Sequence, residues 1–243
     1  MNWSDGPLIP GVFIERLHRF GASVRVRGRV EYCHVTNSGR LKELLYPGAK
    51  VALVDHKLKI KNSKLKIPRK TRYAVRLAYY RNHWVCIEAN IAPMLLHEGW
   101  KKGMVEELQP YDELQAEVPL NTHTRFDFQA RNTQTGEKAW VEVKCTTLVD
   151  ENEIGRFPDA PSERASKHLR ELMEQSRKIK VRCFVFFILQ NPLGRAVGAK
   201  SDTDPVFAET LRKTLKSKVV VKAFRARVNL KGARLEKKVP VLN

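Results

Sequence analysis

The chain has 243 residues, of which 45 are Lys or Arg and 26 are Asp or Glu, so its formal net charge at pH 7 is +19. A hydrophobic fraction of 42% excludes a disordered or collagen-like chain, and the length suits one large domain or two small ones. The charge excess predicts a polyanionic partner, because cationic side chains release the counterions of the phosphates that they neutralise. A merely soluble basic protein is the alternative.

Targeting signals are absent from the sequence pattern. Residues 1–13 lack a cationic segment followed by an apolar one, so we predict no secretory signal. The longest apolar run, near residues 184–189, is far too short to span a bilayer, and we expect no membrane association. The four cysteines lie far apart without a CxxC pair, which excludes an obvious zinc knuckle and predicts a reduced cytoplasmic protein.

The first 97 residues carry 18 basic and 6 acidic side chains and are typical of short strands separated by turns. This density of short strands predicts a small β-barrel such as an OB-fold. In chain order we predict strands over 11–17, 23–26 and 30–35, a short helix over 40–46, a strand over 50–54, a hairpin over 57–67, and strands over 73–78 and 84–88.

A basic run occupies residues 57–72, with eight Lys or Arg and no acid. In a hairpin its lysines would share one face, and basic residues mixed with an aromatic residue suit a groove that follows a nucleic-acid backbone. The alternative is a solvated charged face. The predicted nucleic-acid-binding residues of this half are His34, Asn37, Arg40, Lys57, Lys59, Lys61, Lys64, Lys66, Arg69, Lys70 and Arg72.

The second part alternates helices and strands, which predicts a mixed α/β core. Ser162 is the expected N-cap of a helix whose apolar stripe contains Ala165 and Leu169 and whose opposite face bears Lys167 and His168. In chain order we predict a helix over 98–108, strands over 124–130 and 139–148, a helix over 163–178, a strand over 182–189, a helix over 205–215 and a strand over 219–228.

The strongest chemical signal is the string WVEVK at residues 140–144. Strand alternation places Glu142 and Lys144 on one face. Asp127 lies on the preceding predicted strand, so a hairpin would bring it beside Glu142 in the pattern of the PD-(D/E)xK nucleases. Two adjacent carboxylates repel each other, and a divalent cation relieves the repulsion. The alternative is a solvated Glu–Lys pair on a strand surface.

Four more residues are candidates for the edge of this site. Glu117 is a further candidate metal ligand, or else a plain exposed carboxylate. Asp159 lies in a loop before the predicted helix, where it serves either the site or a turn. Lys167 and His168 can contact phosphate or place a proton; the alternative is that both are simply solvated.

Several segments are together similar to one known family: GVF at 11–13, HVTNSGR at 34–40, RK at 69–70, TRFDF at 124–128, VEVK at 141–144, FPDA at 157–160, KHL at 167–169 and DPVFA at 204–208. They resemble the sugar fermentation stimulation protein A (SfsA) family over nearly the whole chain. The resemblance implies an OB-like nucleic-acid-binding domain, here residues 1–95, and a PD-(D/E)xK nuclease-like domain, here residues 96–243. It also implies a nuclease-like site at Asp127, Glu142 and Lys144.

We therefore expect a metal-dependent nuclease acting on DNA or RNA. Asp127 and Glu142 would share one divalent cation with the backbone carbonyl of Val143, and oxygen ligands without a Cys/His cluster favour Mg²⁺ or Mn²⁺. The alternative is a non-catalytic DNA-binding protein or transcription regulator with a vestigial nuclease fold, linked to sugar metabolism by the family name. Protein partners are not predictable from the sequence.

Overall fold

The computed structural model describes residues 1–3, 6–59 and 71–243, and within them the chain folds into a β-barrel followed by an α/β layer structure. The predicted basic residues Lys61, Lys64, Lys66, Arg69 and Lys70, and the side chain of Lys59, lie outside the described part.

The first half of the chain contains the strands β1 (Ile9–His18), β2 (Gly21–Val26), β3 (Arg29–Val35), β4 (Lys50–Asp55), β5 (Tyr73–Tyr80) and β6 (His83–Cys86). The barrel is built from antiparallel neighbours in the order β3-β2-β1-β4-β5, a short parallel pairing of β3 with β5 closes it, and β6 extends the sheet beyond β5. Alternating apolar side chains such as Phe13, Val24, Leu53 and Val75 fill its interior. This confirms the predicted OB-like barrel.

The predicted helix over residues 40–46 is wrong. The segment forms a single turn in which the N–H groups of Leu44 and Leu45 donate to the carbonyl of Leu41. Leu41 has φ +53°, a left-handed conformation that a right-handed helix cannot accommodate. The carboxylate of Asp159, from the second domain, accepts the Leu41 N–H at 2.7 Å and so satisfies this turn from outside.

The start of the predicted lysine hairpin is also wrong. Strand β4 ends at Asp55, and His56–Lys59 form one helical turn, α1. The Asp55 carboxylate accepts the backbone N–H of Lys57 at 3.0 Å, which turns the chain immediately after the strand. Lys57 and Lys59 therefore do not alternate along a strand, and the remainder of the predicted hairpin lies outside the described residues.

The helix predicted over residues 98–108 begins and ends seven residues earlier than predicted. Helix α2 covers Ile91–Lys101, and Glu106–Leu108 form a separate 3₁₀ turn. The buried face of α2 contains Ile91, Leu95 and Leu96, which pack on the second sheet. Gly103, at φ +73°, follows the helix and separates the two elements. The predicted domain boundary after residue 95 falls within α2.

The second half of the chain contains the elements β7 (Glu113–Pro119), β8 (Arg125–Arg131), β9 (Lys138–Thr146), β10 (Ile154–Phe157), α3 (Glu163–Gln175), β11 (Val181–Leu189), β12 (Ala196–Ala199), α4 (Pro205–Leu215), β13 (Val220–Asn229) and β14 (Gly232–Val239).

The second sheet has the order β14-β13-β11-β9-β8-β7, with β11 central and parallel to both β9 and β13. Both faces of β11 are covered: Phe184 and Phe186 pack on the side of α2, and Val185 and Phe187 pack on the side of α3 and α4. Double burial explains the uninterrupted apolar run of this strand.

The predicted strands and helices of this sheet are present within a few residues, and helix 205–215 is confirmed at both ends. Four strands were not predicted, because two lie at polar edges of the sheet and two are only four residues long.

The two halves of the chain share part of one core. Leu77 and Cys86 of the barrel pack in the same apolar cluster as Phe184 of β11. Gln190, fully buried at the end of β11, donates its amide N–H to the carbonyl of Cys86 at 2.8 Å. In the described ranges, no helix has the length and hydrophobicity of a bilayer-spanning segment.

Candidate metal and nucleic-acid site

The β8–β9 hairpin brings the predicted site residues together. The two strands pair from Arg131 and Lys138 as far as Phe128 and Val141. Two residues beyond Val141, past the last β8–β9 pair, the backbone N–H of Val143 donates to Oδ2 of Asp127 at 2.7 Å. The carboxylate is thereby held beside Glu142.

Glu142 is the centre of a buried charged cluster, since only 5% of its surface is exposed. Its Oε1 atom accepts hydrogen bonds from Nζ of Lys144 at 2.5 Å and from Nδ1 of His168 at 2.7 Å. Glu142 and Lys144 share a face of β9 because they are two residues apart on a strand, as the sequence predicted. His168 reaches them from α3.

The two carboxylates have opposite electrostatic surroundings. Burial, followed by the charge of Glu142, raises the pKa of Asp127 to about 7. For Glu142 burial is also the largest influence and opposes ionisation, but Lys144 and His168 together outweigh it, so the pKa of Glu142 lies below its ordinary value. A cation bound beside the two carboxylates would therefore promote the ionisation of Asp127 more than that of Glu142.

The donor set fits a hard divalent cation. Among the described residues, hydrogen bonds engage only Oδ2 of Asp127 and Oε1 of Glu142, which leaves the second oxygen of each carboxylate available. Carboxylate and carbonyl oxygens are the ligands that Mg²⁺ and Mn²⁺ prefer. The described part of the chain contains no group of three His, Cys, Asp or Glu side chains arranged to hold a metal, so a cation here would draw on two carboxylates and backbone or water oxygens.

His168 does not lie on a solvated face of α3, which corrects the sequence-based expectation. Only 3% of its surface is exposed, and its ring packs edge-on against Phe126 with centroids 5.5 Å apart. The helix lies so close to the sheet that the flank next to its apolar stripe is covered as well. The predicted N-cap of α3 is confirmed, since Ser162 accepts the N–H of Ala165.

Glu117 lies on β7 opposite Asp127, although its side chain is 66% exposed. Its charge is a minor contributor to the raised pKa of Asp127, and its nearest basic partner, Arg125, is 3.9 Å away. Glu117 also adopts φ +55°, a left-handed conformation that is costly for a side-chain-bearing residue and frequent near functional sites.

Asp159 joins the two domains, whereas Lys167 lies beside His168 on α3. Oδ2 of Asp159 accepts the Leu41 N–H, so this loop holds the barrel against the second domain. Gly39 lies so close that an added Cβ would be 2.9 Å from Asp159 Oδ2. Lys167 is half-exposed on α3, with Nζ 3.9 Å from Glu171.

Two of the predicted nucleic-acid-binding residues are already engaged within the protein. Asn37 donates to the carbonyl of Ile87 at 2.9 Å and accepts the N–H of Gly39 at 2.8 Å, so its amide holds the loop in place. The Arg72 guanidinium donates three hydrogen bonds to the Asp55 carboxylate, the shortest 2.8 Å. The Asn37 amide is thereby used within the protein, whereas the Arg72 guanidinium is oriented by Asp55 and keeps N–H donors that Asp55 does not use.

The other described candidates on the barrel are accessible. Arg40 and Lys57 are exposed, and His34 is partly exposed with its ring stacked on Phe20 at 6.3 Å. Phe20 is 42% exposed and was not predicted, although exposed aromatic residues beside arginines are the signal that would have identified it. Arg19 lies over its ring at 5.4 Å.

Two family models match the chain in tandem. The SfsA N-terminal OB domain matches residues 14–87, and the sugar fermentation stimulation protein RE domain matches residues 90–232. The chain belongs to the SfsA family. Both the predicted family and the mixed fold, an OB barrel followed by an α/β domain, are therefore confirmed.

Family relatives match over nearly their whole length. The sugar fermentation stimulation protein homolog of Desulforamulus reducens is 37% identical over 234 residues, which cover 96% of this chain and 92% of the relative. The homolog of Geobacter sulfurreducens is 37% identical over 239 residues, 97% of each chain. A solved structure of Pyrococcus furiosus SfsA in complex with Ca²⁺ superposes with a TM-score of 0.86 at 26% identity, covering 100% of this chain and 98% of that one.

Proposed function

We propose that this SfsA-family protein binds nucleic acid and hydrolyses phosphodiester bonds in DNA or RNA with a divalent cation. The observation that carries the proposal is the arrangement of partly buried Asp127 with buried Glu142 and Lys144, in which each carboxylate has a free oxygen and the lysine contacts Glu142. The OB barrel and the net charge of +19 support a polyanionic substrate.

Each residue of the cluster has a distinct task in this proposal. Asp127 and Glu142 would hold Mg²⁺ or Mn²⁺, which when bound would lower the pKa of water and polarise a phosphate. The Val143 N–H and His168 orient the two carboxylates by hydrogen bonds. Lys144 supplies a buried positive charge that stabilises negative charge developing on the phosphate.

A relative's ligand supports the choice of cation class. Pyrococcus furiosus SfsA is described in complex with Ca²⁺, a hard ion that also takes oxygen ligands. We extend divalent-cation binding to this chain on the ground of its own carboxylate pair. We also place the protein in the cytoplasm, since all four cysteines are free thiols and three of them are buried.

The deciding experiment is a cleavage assay on plasmid, single-stranded DNA and RNA with Mg²⁺, with Mn²⁺ and with EDTA. Wild type should cleave only with a divalent ion, and Asp127→Asn should not cleave. Glu113→Gln is the matched control, because Glu113 is an exposed carboxylate on neighbouring β7. Binding without metal-dependent cleavage would overturn the nuclease and favour the non-catalytic binding protein.

A further inference from the structure

An open cleft of about 420 Å³ lies on the α3 side of the candidate metal site. The loop before β8, the first residue of β8 and the first half of α3 form its walls. The side chains relevant here are His123, Thr124, Arg125, Arg164, Lys167 and His168.

The cleft carries an excess of positive charge that the protein itself does not neutralise. Within the described residues Arg164 has no carboxylate within 4.0 Å, and Lys167 and Arg125 each have one only at 3.9 Å. The two carboxylates are Glu117, beside Arg125, and Glu171, beside Lys167; Oε1 of Glu171 also accepts a hydrogen bond from the Thr124 hydroxyl at 2.7 Å. Three exposed or half-exposed cations converging on one concave surface suit a phosphate group.

His168 connects this cleft to the metal site. Its Nδ1 atom contacts Glu142 at 2.7 Å, and its Nε2 atom faces Nε of Arg164 at 3.4 Å. A single buried imidazole therefore separates Glu142 from the cationic cleft. A phosphate held there would lie close to one held at the carboxylates, as successive phosphates of one strand do.

We infer that this cleft binds a phosphate group of the nucleic acid next to the phosphate that is cleaved. Arg164, Lys167 and Arg125 would be its ligands, so they position the strand relative to Asp127 and Glu142. The inference rests on the proposed function for the reaction, but the binding itself needs no metal. The phosphate can be a terminal monoester or an internal diester, and the two are chemically distinguishable.

The test measures binding in EDTA, so that it does not depend on cleavage. Fluorescence anisotropy compares short single-stranded DNA with a 5′-phosphate, with a 3′-phosphate or with hydroxyl ends. The variant is Arg164→Gln with Lys167→Gln. The matched control is Arg170→Gln with Arg177→Gln, which removes the same charge from exposed positions on and just after α3 that do not line the cleft.

We expect the cleft variant to bind about tenfold more weakly than the control, and its salt slope to fall by roughly 0.7 for each phosphate that is no longer neutralised. If wild type prefers a probe with a terminal phosphate and the cleft variant loses this preference, the cleft binds a phosphate monoester. If the affinity for all three probes falls equally, the cleft binds a phosphate diester. Equal affinity of the variant and the control would overturn the inference.

A second pair of variants tests the cleft from another element. Arg125→Gln should weaken binding, whereas Arg131→Gln, exposed at the other end of β8, should not. If wild type binds the probes and the cleft variants do not, but no metal supports cleavage, the phosphate-binding cleft is supported and the nuclease proposal fails. If wild type cleaves with a metal, and the cleft variants bind and cleave like their controls, the nuclease proposal is supported and the phosphate-binding cleft fails.

Discussion

Glu142 on strand β9 and His168 on helix α3 are joined by a buried contact of 2.7 Å between Oε1 and Nδ1. The two residues are 26 positions apart, and the contact exists only because α3 packs across the sheet beside β9. It gives Glu142 a second partner besides Lys144, and it restricts the carboxylate to one orientation. Orientation by such an outer hydrogen bond is a common feature of metal-binding carboxylates.

Replacing His168 should weaken metal binding without abolishing it. His168→Ala removes the hydrogen bond to Glu142, and removing such a supporting hydrogen bond typically costs 10–100-fold in metal affinity. His168→Asn keeps a donor near the position of Nδ1 and should retain most of the affinity. Calorimetric titration with Mn²⁺ measures both, and equal affinity of wild type and His168→Ala would contradict the positioning role.

Removing either carboxylate should abolish metal binding. Asp127→Asn and Glu142→Gln each delete one of the two charged oxygen ligands, and we expect no Mn²⁺ heat with either variant. Nucleic-acid affinity in EDTA should be unchanged or higher, because negative charge near the phosphate is removed. Glu113→Gln should behave as wild type in both measurements, and metal binding by Asp127→Asn would contradict the assignment.

Lys144 should affect turnover more than binding. Lys144→Ala keeps both carboxylates, so Mn²⁺ should still bind, while single-turnover cleavage should fall by about 10²–10³-fold, the typical effect of one contact made to the transition state. Lys138→Ala, at the exposed start of the same strand, is the control. A variant that cleaves at the wild-type rate would remove Lys144 from the reaction.

Glu43 should make the stability of the protein depend on pH. Burial, and to a lesser degree Asp159, raise the pKa of Glu43 from 4.5 to about 7, and its Oε1 has no partner among the described residues. The pKa of such a carboxyl group is higher in the folded than in the unfolded protein, so its protonated form favours folding. This contribution to stability is fully present at pH values below the pKa of the unfolded state, and it is lost as the pH rises through about 7.

Thermal unfolding of Glu43→Gln therefore tests this group. The melting temperature of the variant should be close to that of wild type at pH 4.5 and higher than that of wild type at pH 8. The expected shift is about 2–4 °C for each kcal/mol of difference in stability. Glu15→Gln, an exposed carboxylate on β1, should show no such difference. If the difference in melting temperature between wild type and Glu43→Gln is the same at pH 4.5 and at pH 8, the prediction is wrong.

The barrel should contribute base stacking to single-strand binding. Phe20 is 42% exposed and stacks with His34, and stacking on an aromatic side chain contributes roughly 1–3 kcal/mol per base. Phe20→Ala should weaken binding of single-stranded DNA more than binding of duplex DNA. Tyr46→Ala, an exposed aromatic residue in another part of the barrel, is the control, and equal effects of the two would argue against a stacking surface.

The sequence by itself determined the features that depend on local periodicity. Two-residue alternation placed Glu142 and Lys144 on one face, and the hairpin spacing brought Asp127 beside them, because strand geometry repeats wherever a strand forms. The same regularity identified the barrel strands, the α4 helix and the N-cap at Ser162. Motif order over the whole chain was enough to indicate the SfsA family.

Tertiary structure alone decided which side chains were covered and which remained available. The pattern of α3 left His168 on its polar side, yet packing against β9 buried it against Glu142. Asp159 resembled a site residue in sequence, but it accepts a hydrogen bond from Leu41, 118 positions away. Contacts of this range depend on how sheets and helices stack, because the same helix can bury different flanks depending on what lies beside it.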